Sequence, residues 1–68
     1  MKNKVRALRK LKGLTQEQLA ELIGVSRQTI NAIEKEKFDP SLPTAFKMSQ
    51  IFGLPIEEFF LYEESNEC

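Results

Sequence analysis

Histidine and tryptophan are absent from this 68-residue chain, and its single cysteine, Cys68, is the last residue. Each absence removes a class of chemistry. One cysteine cannot close a disulfide within the chain, so the expectation is an exposed, reduced thiol, with a bridge to a second molecule as the alternative. Without histidine, a zinc site of the usual ligand types, histidine general-base catalysis and a cysteine–histidine pair are all excluded. No glycine-rich phosphate loop occurs, and the carboxylates pair with no second catalytic residue type in a recognisable pattern. The expectation is a protein that is not an enzyme and holds neither metal nor cofactor. No apolar run approaches the roughly 18 residues that would suggest a membrane span. The basic start, MKNKVRALRKLKG, lacks the apolar stretch of a signal peptide. Together these absences predict a soluble, cytoplasmic chain with no membrane partner.

What is present suffices for one domain. A chain this short buries only about 60% of its unfolded surface, so its core must use most of its apolar residues. The net charge of zero hides an asymmetry. Residues 1–12 hold six basic side chains (Lys2, Lys4, Arg6, Arg9, Lys10, Lys12) and no acid, while 57–68 hold five glutamates and no base. Such a division fits an anionic partner such as nucleic acid, and equally a solvated helix face balanced by an acidic tail.

Helical periodicity predicts five segments and no strand, an all-α chain. The first covers about 2–12, with Val5 and Leu8 inward, Leu11 on the border of that face and Gly13 as its stop. TQEQ then matches a capping box, Thr15 as N-cap and Gln18 three residues on. The helix that follows runs to about Ile23, with Leu19, Ala20 and Ile23 inward and Gly24 at its end. Ser26 caps a third helix facing inward through Ile30 and Ile33. Ser41 caps a fourth, through about Phe52, with Leu42, Ala45, Phe46, Met48, Ser49 and Phe52 on its buried side. A short fifth, from about Pro55 to Tyr62, offers Ile56, Phe59 and Phe60. Leu14 and Val25 join the expected core, and the last four to six residues are expected to be disordered.

The stretch IGVSRQTI carries the functional reading. Only about three residues join the second and third helices, so the two must cross steeply and touch near the turn. Ala20 is small where the third helix passes closest, Gly24 permits a positive φ, and Val25 plugs the corner. At 100° per residue, with Ile30 and Ile33 inward, Gln28, Asn31, Ala32 and Lys35 point most directly outward and Arg27 lies on the flank. Amides can pair with adenine edges, arginine with guanine edges, and alanine can touch a thymine methyl. The other reading is an ordinary polar helix face; the tight corner beside it favours DNA.

TQEQLAELIGVSRQTINAIE resembles the helix-turn-helix of the phage repressor and Cro family of bacterial transcriptional regulators. LRKLKGLTQ before it and DPSLPTAFKMSQIFGLPIEEFF after it fit the same pattern. The resemblance implies a compact five-helix bundle of the lambda-repressor-like type over residues 4–60, with the motif at 16–35 and an acidic tail at 61–68. It implies that the third helix lies in the major groove. Arg27 and Gln28 would read bases, and Asn31 would take over the reach of a third base-reading position that falls on the apolar Ala32. Gln16, Ser26, Thr29, Lys35 and Lys37 would meet the DNA backbone, and Arg9 and Glu34 would form an internal salt bridge. Two departures stand out: Glu36 occupies a position where the family often has glycine, and Pro55 one where it often has a serine cap.

The function implied is a sequence-specific regulator of double-stranded DNA, a repressor, binding an operator as a homodimer. Paired half-sites about 34 Å apart compensate for the few base pairs one helix reads. The alternative is a protein-interaction module of the same fold, such as an antitoxin whose partner is a toxin. Single-stranded RNA is disfavoured, because the basic surface lacks exposed aromatics. Phe60, Leu61 and Tyr62, extended by Ile51, form the expected dimer patch; the competing expectation folds Phe60 back over Leu11.

Overall fold

The computed structural model describes residues 1–62. The expectations for Cys68, and for the acidic tail beyond Tyr62, lie outside the described residues. Within them the order is β1 (Lys2–Asn3), α1 (Val5–Leu11), α2 (Gln16–Ile23), α3 (Arg27–Glu34), α4 (Leu42–Phe52), α5 (Ile56–Phe59) and β2 (Phe60–Leu61). None of these helices is long and apolar enough to cross a membrane.

Local chemistry sets the helix starts. The Thr15 side chain accepts from the Gln18 backbone N–H, and the Gln18 side chain accepts from that of Thr15, a reciprocal capping box. Ser26 and Ser41 cap α3 and α4 by accepting from the N–H groups of Thr29 and Thr44. Gly24 ends α2 in the left-handed conformation at φ 92°. A long-range contact adds to this stop: the Lys47 ammonium on α4 donates to the Ile23 carbonyl at 2.9 Å.

The α3 exit follows the glycine pattern without a glycine. Glu36 takes φ 64°. Its N–H donates to the Ile33 carbonyl, and the Lys37 N–H reaches back to the Ala32 carbonyl, both at 3.0 Å. This is the paired-bond exit in which a left-handed residue satisfies the last carbonyls of a helix. Pro55 provides no side-chain cap, and α5 is only four residues long.

The core is one cluster of Val5, Leu19, Ala20, Ile23, Ile30, Ile33, Ala45, Met48, Phe52, Phe59 and Phe60, with Leu8, Leu14, Val25, Ile51, Leu54 and Ile56 packed against it. Phe59 sits edge-on to Phe52, their ring centres 5.3 Å apart.

Several expectations are corrected. The chain is mostly helical but not all-α: β1 and β2 pair antiparallel, Lys2 opposite Leu61 and Asn3 opposite Phe60. The Lys4 N–H extends this pairing to the Phe59 carbonyl at 2.9 Å. The fifth helix therefore stops at Phe59 instead of continuing to Tyr62. Phe60 is 5% exposed, its ring 5.1 Å from that of Phe59. It belongs to the core, so it contributes nothing to an exposed patch, and it does not cover Leu11, which is 83% exposed.

Leu42 and Phe46, expected inside, are exposed. The buried stripe of α4 is Thr44, Ala45, Met48 and Phe52. Around a helix centred on Met48, Leu42 and Phe46 fall roughly 120° and 160° away, past the edge of that stripe. The buried face is narrower than the apolar one.

Candidate nucleic-acid interface

The corner between α2 and α3 rests on Ala20, which is 3% exposed beneath the third helix. Leu19 and Ile23 anchor α2, and Ile30 and Ile33 anchor α3, all of them buried. With those residues fixed inward, the rest of α3 has its orientation decided. Arg27, Gln28 and Lys35 are exposed, while Thr29, Asn31 and Ala32 are half-buried.

Gln16, Arg27, Gln28 and Asn31 line a small cleft of about 130 Å³ where the start of α2 meets the outer face of α3. Beside it lies a second cleft, of about 260 Å³, lined by Arg6, Arg9, Gln16, Asn31, Glu34 and Lys35. At the start of α3, Ser26 and Thr29 are joined hydroxyl to hydroxyl at 3.0 Å. Lys37 is exposed just beyond the α3 exit.

Beneath the clefts, Arg9 and Glu34 form an ion pair with N–O 2.7 Å, their side chains only 9% and 4% exposed. Two parallel bonds join them, Nε to Oε2 and Nη2 to Oε1, and Nη1 donates to the Leu14 carbonyl at 2.8 Å. Such a two-pronged pair ties α1 to α3 with its polar atoms satisfied. Removing one partner would strand a buried charge, which costs about 3–5 kcal/mol. The pair also hides the negative charge of Glu34 from the outer surface, leaving Arg6, Arg27, Lys35 and Lys37 as the cations around the face.

Gln16 is half-buried and turned toward α3. Its amide nitrogen donates to Glu34 Oε1 at 3.1 Å and to Asn31 Oδ1 at 3.3 Å. The structure thus brings together Gln16, Arg27, Gln28 and Asn31, with Lys35 adjacent, whereas Lys37 lines neither cleft and Leu61, Tyr62 and Ile51 lie elsewhere. Among the described residues, no cluster of three histidine, cysteine or acidic side chains could hold a metal ion.

Two residues with structural roles at this site escaped the sequence reading. Arg6 lines the second cleft, and only the general basic character of the first twelve residues hinted at it. Asn3 is the other. Its side-chain amide donates to the carbonyls of Met1 and Ile33, and its oxygen accepts from the Val5 N–H. It therefore pins the ribbon and the start of α1 to the last turn of α3.

A family model described as helix-turn-helix matches residues 5–59. The chain belongs to that family. Its helix-turn-helix is the α2–Gly24–α3 corner, and the fold is that of a DNA-binding domain of transcriptional regulators. An HTH-type transcriptional regulator of Methanocaldococcus jannaschii is 59% identical over 64 residues, 94% of this chain and 97% of that protein. The regulator YgzD of Bacillus subtilis is 48% identical over 66 residues, 97% of this chain and all of YgzD. Among solved structures, the restriction-modification controller protein C.AhdI from Aeromonas hydrophila superposes with a TM-score of 0.74 at 33% identity, covering 84% of this chain and 86% of that one.

Proposed function

We propose that this helix-turn-helix protein is a sequence-specific repressor that reads operator half-sites in the major groove of double-stranded DNA with α3. The observation that carries the reading is the combination of a fixed corner with the side chains it aims outward. Ala20 and the buried isoleucines leave α3 one orientation, and in that orientation Arg27 and Gln28 are exposed beside Asn31. A guanidinium and an amide next to one another match the acceptor and donor edges of purines. Lys35, Lys37 and Arg6 supply positive charge near the flanking phosphates, a contribution to affinity without sequence preference. Ser26 and Thr29 add hydroxyls for backbone contact at the α3 start.

Repression requires only that the groove be occupied, and so fits a chain whose assigned surface is a DNA reader. One recognition helix covers few base pairs, which favours a homodimer on inverted half-sites. With Phe60 buried, the apolar residues available for such an interface include Leu61 and Tyr62 on the ribbon side and Leu42 and Phe46 on α4. The same exposed side chains underlie the alternative reading, a module whose main partner is another protein.

Selection of bound duplexes from a random pool tests the proposal. The expected product is a pair of inverted half-sites whose centres lie about 34 Å, one helical turn, apart. A pool that stays random would overturn the reading in favour of a protein partner.

A further inference from the structure

Arg9, Glu34, Gln16 and Asn31 form a chain of hydrogen bonds whose polarity is fixed from one end. The Glu34 carboxylate can only accept. Arg9 occupies both of its oxygens, so Gln16 must offer Glu34 its amide nitrogen and not its oxygen. The second hydrogen of that nitrogen then goes to Asn31 Oδ1 at 3.3 Å. Both amide hydrogens of Gln16 are spent in this way, and the carbonyl of Asn31 is turned toward Gln16. Its Nδ2 group is the other branch of the amide and is directed away from that bond, on a residue that lines the cleft with Gln16, Arg27 and Gln28.

We infer that Asn31 reads base edges as a donor only, with Gln16 as the positioning residue that sets its polarity; this rests on the proposal that α3 enters the major groove. An asparagine with an unconstrained amide pairs with adenine through both atoms, donating to N7 and accepting from the N6 amino group. That pairing needs the side-chain oxygen facing the base. Held as it is here, Asn31 presents N–H donors, which suit the paired acceptors of guanine, O6 and N7, or thymine O4; cytosine offers only an amino group there, and adenine sets one beside its single acceptor N7. The same polarity leaves the Gln16 side chain no hydrogen for a phosphate. Its part in binding is then to aim Asn31, while the unpaired backbone N–H groups at the start of α2 remain for the DNA backbone.

Duplex selection with the full chain, run in parallel for wild type, Asn31→Asp and Gln16→Met, tests this. Asn31→Asp keeps an acceptor for Gln16 but turns an acceptor outward, so one column of the selected site should change to cytosine and thereby identify itself. At that column the wild type should favour guanine or thymine. Gln16→Met, similar in size and without donors, should release the amide and raise adenine there about fivefold or more, leaving the other columns unchanged. A wild-type preference for adenine, no column responding to Asn31→Asp, or a Gln16→Met variant that weakens all sequences equally would each overturn the inference. In those outcomes the wild type still selects a sequence, so the α3 reading stands; a wild type that selects none removes both.

Discussion

Glu36 holds a backbone conformation that disfavours it. A non-glycine residue in the left-handed region costs about 1–2 kcal/mol, yet Glu36 sits at φ 64° because two exit bonds of α3 depend on that turn. Glycine reaches this conformation without the Cβ clash but loses more chain entropy on folding. Glu36→Gly is therefore expected to stabilise the fold by about 0.5–1 kcal/mol. Urea unfolding checks it: the midpoint should rise with the slope unchanged, and a lower midpoint would contradict the account. At this scale the sequence was legible where both partners of a bond are near neighbours. Thr15, Ser26 and Ser41 announce their caps because the N–H groups they satisfy lie three residues on. Asn3 was invisible as a structural pin because its partner carbonyl, on Ile33, lies 30 residues away. Glu36 stood out as a departure from a glycine pattern, but its side chain gave no sign that it would adopt the glycine conformation.

Elements were legible in proportion to their length and periodicity. The α2–α3 corner could be derived because short connection, small residue and turn glycine all demand the same crossing. Ala20 is the tightest point of it, and Ala20→Leu should push the helices apart or force strained rotamers, costing about 1–3 kcal/mol. Equilibrium unfolding would measure this, and a variant as stable as wild type would mean that α3 is not seated on Ala20. The ribbon could not be derived. Two strands of two residues show no alternation to detect, and they join opposite ends of the chain. The burial of Phe60 beside Phe59 follows from the chain leaving the helix for this ribbon at that residue. In α4 the period predicts the buried residues and the width does not, because apolar Leu42 and Phe46 lie outside the stripe centred on Met48.

At the scale of the whole molecule, the fold presents one rigid helix on a base that its own polar network supports. The buried pair of Arg9 and Glu34 fixes α3 against α1, Asn3 fixes its last turn to the ribbon, and Ala20 fixes its height over α2. The face expected from the outward positions of α3 emerges with Arg27, Gln28 and Lys35 exposed, but the sequence could not reveal that Asn31 is tied to Gln16. That link crosses two helices and depends on side-chain rotamers that no periodicity encodes. Whether α3 reads sequence is measured by the ratio of affinities for a selected duplex and a scrambled one. Arg27→Ala and Gln28→Ala should each lose about 1–3 kcal/mol on the selected site and little on the scrambled one, collapsing the ratio. Lys35→Ala should weaken both alike and flatten the salt dependence, preserving the ratio. If the Arg27 and Gln28 variants keep the wild-type ratio, α3 is not the reader.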